Sequence, residues 1–205
     1  MSLKRLAPLS GLAFVVSLIA FRIIEGGSLP DPDDSTASVV AFWVDHRDEQ
    51  IAVAIIASFA TFFFTIFAAG LFGVLRQGEE GDGYLAPLTL AGAVLTATGM
   101  LAVTTVEFAA ADSAGKVPAD VTQALSVLQA DTWFGIAVGF AVFGIGAGLA
   151  VLKLGLFPRW MGWLSLVTGV LWLTPIQFIA IFLSVIFVAG TSVVQLRGGP
   201  EPAAT

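Results

Sequence analysis

The sequence predicts an all-α, polytopic transmembrane helical bundle of six spans, with short amphipathic helices on its outer side. Three observations predict it. Apolar residues make up 57% of the 205-residue chain and charged residues only 12%, for a mean hydropathy of +0.93. The apolar residues gather into runs of roughly 20, the length a helix needs to cross the hydrocarbon core. The charges fall between the runs, and lysine and arginine favour alternate gaps. With the N-terminus inside, the inner segments hold Lys4, Arg5, Arg76, Lys153, Arg159 and Arg197, against Arg22, Arg47 and Lys116 outside, the positive-inside bias.

The first span is expected over 6–24. Lys4 and Arg5 before it imitate a signal peptide, but Phe21-Arg22-Ile23-Ile24 stands where a small-residue cleavage site belongs, so an uncleaved helix is expected. A polar turn rich in Gly, Pro and Asp follows to Thr36. Val39, Val40, Trp43 and Val44 then fall at helical spacing, which predicts a short helix over 37–48. The second span, 51–75, carries Ser58, Thr61 and Thr65 on one stripe and Phe59, Phe62, Phe63, Phe64 and Phe67 on its other faces. Small hydroxyl residues at that spacing favour helix packing.

The loop 77–83 is glycine- and acid-rich and is expected to be flexible. The third span covers 85–110. A second outer helix is expected over 119–130, where Val117, Val121, Leu125 and Leu128 line one face and Asp120, Gln123 and Gln129 the others. Two such helices on one side suggest either a lid over the bundle or a pair floating at the interface. The fourth span, 132–152, contains Gly135-xxx-Gly139 and Gly144-xxx-Gly148, spacings that let helix backbones approach, within one chain or in a homodimer.

The last apolar block is too long for one span. Proline removes a backbone donor and disfavours helix in the residue before it. Thr174-Pro175 therefore splits the block into spans 160–174 and 176–196, the rival being one kinked helix and five spans. Trp160 and Trp163 then fall at the inner boundary and Trp133 and Trp172 near the outer one, where indoles prefer to sit. Residues 1–197 are read as a single transmembrane domain and 198–205 as a disordered cytoplasmic tail.

Composition excludes much chemistry. There is no cysteine and one histidine, His46, so thiolate catalysis, cysteine-ligated metal and iron–sulfur clusters are ruled out. A net charge of −6 offers no basic stripe to nucleic acid. His-Glu-x-x-His, Gly-x-Ser-x-Gly and phosphate-cradling loops are missing. No catalytic residue, metal or cofactor is assigned.

The sharpest polar signal is Glu107, in the last turns of the third span, with Thr104 on its helical face. A carboxylate in a span is costly and stays only if paired, neutralised or wetted. Arg22 and Glu25, at i, i+3 on the outer end of the first span, form a natural pair. Arg22 is also the leading candidate partner for Glu107 and Thr132 the second. Arg159 with Trp160 and Trp163 makes a candidate lipid-headgroup anchor. His46, among acids, is read as a pH sensor, a metal ligand or neither.

Three stretches carry a resemblance: Phe42-Trp43-Val44-Asp45-His46-Arg47, the Phe-rich second span ending in Leu75-Arg76, and Leu156-Phe157-Pro158-Arg159-Trp160-Met161-Gly162-Trp163-Leu164. Together they resemble the actinobacterial six-helix membrane proteins grouped with the domain of unknown function 4386. The resemblance implies a six-helix bundle in a bacterial plasma membrane and supplies no catalytic residue. The expected function is that of a non-enzymatic binding, scaffold or accessory protein, with lipid or a hydrophobic molecule as one candidate ligand. The alternative is a small proton- or cation-coupled transporter using Glu107. Membrane lipids are the expected partners, with a protein partner or homodimer left open.

Overall fold

The computed structural model describes residues 3–25, 29–31, 33–81 and 83–198. The side chains of Lys4 and Arg5 and the expected tail beyond Gly198 lie outside them. Eight helices and no strand occur among the described residues: α1 Leu3–Ile24, α2 Thr36–Asp45, α3 Arg47–Gly78, α4 Leu85–Ser113, α5 Ala119–Asp131, α6 Trp133–Leu154, α7 Arg159–Leu171 and α8 Gln177–Arg197. Five helical stretches are long and apolar enough to cross a membrane: α1, α3, α4, α8 and the near-continuous α5–α6. The sixth expected span is α7, with 13 residues, about 20 Å of axis at the α-helical rise. It is a short member that hands over to the irregular turn 172–176 and then to α8. The split at Pro175 is therefore seen, and the six-span reading agrees with the fold to within this short helix.

Why the elements stop where they do is visible locally. Ser35 accepts a bond from the Ser38 amide and caps α2. Pro158 precedes α7, where its fixed φ suits a helix entrance. Gly155 ends α6 at a φ of 65°, a left-handed conformation that favours glycine. The loop 77–83, expected to be flexible, is held by one carboxylate. Glu79 accepts from the amides of Leu85 and Ala86 at 2.8 and 3.3 Å, satisfying orphan donors at the start of α4. Arg76 binds the Gly81 and Gly83 carbonyls. Acids in a short loop read as solvated. Here one of them finds a helix N-terminus instead.

The helices join through two kinds of packing. An aromatic column runs across the bundle: Phe14 of α1 meets Phe64 of α3 at 5.2 Å, Phe64 meets Phe140 and Phe143 of α6 at 5.5 Å each, and Phe143 meets Phe187 of α8 at 6.2 Å. Trp172 stacks on Phe140 at 4.8 Å and donates to Ser184 at 3.0 Å. Trp172, expected near the outer boundary, is buried in the turn between α7 and α8, where its N–H finds a partner on α8 and its ring a flat neighbour. The second kind is glycine contact. A Cβ on Gly144 would stand 2.9 Å from Gly169 Cα, and one on Gly148 would stand 2.8 Å from the Gly162 carbonyl oxygen, so α6 and α7 touch backbone to backbone. Lipid provides no hydrophobic drive between spans, so close packing of this kind must supply it.

Around this core, large apolar side chains face outward. Val16, Ile19 and Ile23 of α1, Phe59 and Phe62 of α3, Leu101 of α4 and Phe182 of α8 are exposed, as lipid-facing positions should be.

Candidate functional site

Glu107 is positioned by a packing stripe that changes partner. Along α4, Gly92, Thr96 and Gly99 face α6, meeting Phe143, Gly139 and the Gly135–Ile136 backbone. The same face continues through Val103 to Glu107. Because α6 begins at Trp133, its cover ends near Gly99. Further along, Ala110, Ala111 and Ala114 pack instead against Val39 and Trp43 of α2, with Leu125 of α5 beside them. Glu107 therefore lies between the end of the α6 contact and the lid, and is only 3% exposed. Thr104, one turn away, is buried as well.

Both outer helices form and both cover this end of the bundle. Trp43 is fully buried. Thr36 of α2 hydrogen-bonds Gln123 of α5. Arg47 reaches Asp112 at 2.7 Å, and Lys116 binds the same carboxylate at 2.9 Å. The apolar stripe of α5 divides, with Leu125 packed against the lid core. Val121 and Leu128 are exposed, while Thr122 and Ser126 are buried. A helix at the membrane boundary turns its apolar side to lipid and its small polar side chains to its neighbours, the opposite of a helix in water.

The expected Arg22–Glu107 pair does not form. Arg22 binds Glu25 within the last turn of α1, where i, i+3 spacing brings them together. The Arg22 side chain is 73% exposed and that of Glu25 is 11%, so the guanidinium snorkels outward and the carboxylate turns in. The second candidate partner, Thr132, donates its hydroxyl to the Leu128 carbonyl instead. Among the described residues, no ion pair involves Glu107.

Two unpartnered buried polar groups near this end were not anticipated. Gln50 is fully buried, and neither its amide nitrogen nor its amide oxygen has a partner; the Trp43 indole nitrogen is likewise unpartnered. Gln50 lies three residues beyond Arg47 on α3, and Arg47 reaches Asp112 of α4. Buried amides without partners are rare. The amide sat at the end of the charged run Asp45-His46-Arg47-Asp48-Glu49 and passed for one more solvated residue. Only its burial without a partner distinguishes it.

The other singled-out residues lie elsewhere. Arg159, Trp160 and Trp163 are exposed at the start of α7, at the opposite end of the bundle. Gly135, Gly139, Gly144 and Gly148 all meet α4 or α7 of the same chain, which leaves that stripe no free face for a homodimer. The hydroxyls of Ser58, Thr61 and Thr65 bond carbonyls of their own helix. His46 stacks on Phe42 at 4.6 Å, at the α2–α3 junction. No group of three metal-ligating side chains occurs among the described residues. The lidded end carries two buried carboxylates, an amide and an indole N–H.

A family model described as Domain of unknown function (DUF4386) matches residues 9–198. No curated protein matches the chain, and no solved structure does.

Proposed function

From the premise that this chain belongs to the DUF4386 family of integral membrane proteins, we propose that it acts by binding. Its lidded end encloses a polar site around Glu107, and the protein is a non-enzymatic ligand-binding or accessory component of the membrane. The observation that carries this reading is the burial of polar groups on three helices of the lidded end: Gln50 and the Trp43 indole N–H have no hydrogen-bond partner, and Glu107 has no ion pair among the described residues. Each costs free energy while unpartnered, and a bound molecule offsets that cost. Purification from native membranes followed by native mass spectrometry tests it. A small polar molecule should be retained by the wild-type chain and lost from Glu107→Gln. Equal retention in both, or only annular lipid in both, would contradict the site.

A second reading, a proton- or cation-coupled transporter, is favoured by the two buried carboxylates Glu25 and Glu107 at one end of the spans. It requires flux of a labelled cation or a pH change in proteoliposomes, absent in Glu107→Gln. Binding without flux rejects it.

The orientation belongs to the same proposal. The protein is a multi-pass protein of the bacterial plasma membrane with both termini cytoplasmic, on the strength of the lysine and arginine distribution. Single cysteines at Ser2, Ser113 and Ala204 in this cysteine-free chain should react with an impermeant thiol reagent in intact cells only at Ser113. Reaction at Ala204 rejects the orientation. Arg159, Trp160 and Trp163 then face the inner leaflet as a headgroup anchor, and membrane lipids are the partners.

A further inference from the structure

We propose that a groove between α3 and α4 is a phospholipid site, taking one acyl chain of a zwitterionic lipid along α4 and its phosphate on Arg76 and Tyr84. It lies at the start of α4, at the opposite end of that helix from Glu107, and stands or falls apart from the reading above.

The groove comes first. It has a volume of about 560 Å³ and is lined by Phe72 of α3 and by Pro87, Leu90, Ala91, Val94 and Leu95 of α4, a size common among ligand pockets. The five α4 residues fall at i, i+3, i+4, i+7 and i+8 and so form one stripe, about 12 Å long at the helical rise. The neighbouring face of α4, through Gly92, Thr96 and Gly99, is covered by α6. The stripe is left open: Pro87, Ala91, Val94 and Leu95 are exposed. Pro87 and Ala91 are short, which sinks the floor between Phe72 and the longer Val94 and Leu95. Every lining side chain is apolar, so the groove suits hydrocarbon.

The mouth comes second. Arg76 lies one turn beyond Phe72 on α3 and Tyr84 three residues before Pro87, and both are exposed. They meet at the Gly83 carbonyl, which accepts from Arg76 at 3.4 Å and shares its peptide bond with Tyr84. Arg76 also donates to Gly81 at 3.2 Å, and its guanidinium keeps donors for a further acceptor. Glu79, 3.6 Å from that guanidinium, is buried, and its oxygens already accept from the Leu85 and Ala86 amides. Pro87 has no N–H, and the Leu88 amide bonds the Tyr84 carbonyl. The start of α4 therefore has no amide to offer a phosphate, and recognition falls to side chains. A guanidinium binds phosphate through charge-assisted hydrogen bonds, and tyrosine prefers the headgroup level. Charge selects the headgroup. Arg76 and Glu79 balance, while Glu80 and Asp82 leave the loop net negative. A headgroup of net negative charge is disfavoured there, and one that carries an ammonium with its phosphate is matched.

The test is native mass spectrometry of the full chain, stripped of lipid in detergent. It is titrated with dioleoyl phosphatidylethanolamine, dioleoyl phosphatidylglycerol or dioleoylglycerol. The wild type should bind one phosphatidylethanolamine saturably, about ten-fold more tightly than either of the others. Ala91→Trp fills the groove from an exposed position, and Arg76→Gln removes the charge; each should lower that affinity by about ten-fold. Val16→Trp, at an exposed position of α1, should leave it unchanged. Equal adducts with all three lipids would overturn the proposal, since annular lipid behaves so. Phosphatidylglycerol bound as tightly as phosphatidylethanolamine, wild-type affinity in Ala91→Trp, or an equal loss in Val16→Trp would each overturn it too. If Arg76→Gln does not fold, the lipid series and Ala91→Trp still decide.

Discussion

Replacing Gly139 by leucine should prevent the bundle from forming. Gly139 sits where α6 crosses α4, and a Cβ there would run into the backbone nitrogen, Cα and hydroxyl of Thr96. On the same interface Gly92 meets the Phe143 backbone. Backbone cannot retract as the end of a flexible side chain can, so the two helices would have to separate. Overpacking a core costs about 1–3 kcal/mol when side chains can adjust, and the expected cost here lies above that range. The same contact aligns the stripe that ends at Glu107, so the site would be lost with the fold. Gly73→Leu is the matched control, because nothing lies within 4 Å of a Cβ at Gly73. Fluorescence-detected size exclusion should show a monodisperse peak for Gly73→Leu and none for Gly139→Leu. Similar peaks would mean that α4 and α6 do not meet through these glycines.

Trp43→Ala should release the lid while the spans stay folded. The indole is buried against Ala110, Ala111 and Ala114, with Leu29, Phe42, Ile51 and Leu125 around it. Truncating a buried Trp to Ala costs about 3–5 kcal/mol. That cost falls on a ten-residue helix whose other tie to α5 is the Thr36–Gln123 bond. At about 3 kcal/mol, local opening becomes roughly a hundred-fold more frequent. Amide exchange should accelerate by that order across 36–45 and remain unchanged at Gly92 to Gly99, under α6. Acceleration along the whole of α4 would show that the lid and spans open as one unit, and that the site has no separable cover.

Apolar run length made the spans legible, and Thr174-Pro175 made the α7–α8 turn legible, because both are local properties of the chain. The lid helices were legible from spacing, but the buried face of α5 was not. A periodic apolar stripe says that two environments exist and not which of them is protein. The same limit hid the burial of Trp172: an indole near a span end shows no partner until Phe140 and Ser184 are known, and neither is close in sequence. Glu107 announced itself by its cost. Its surroundings did not, because Arg22 had a nearer acid in Glu25, and Gln50 becomes unusual only once the fold buries it without a partner.

The central claim is that the groups around Glu107 are satisfied by something the protein binds. An experimental density map of the full chain, sharp enough to resolve ordered water, tests it most directly. Density within hydrogen-bond distance of the Glu107 carboxylate and of the Gln50 amide is the predicted result. A dry junction in which Gln50 and Glu107 bond only to neighbouring side chains would contradict it.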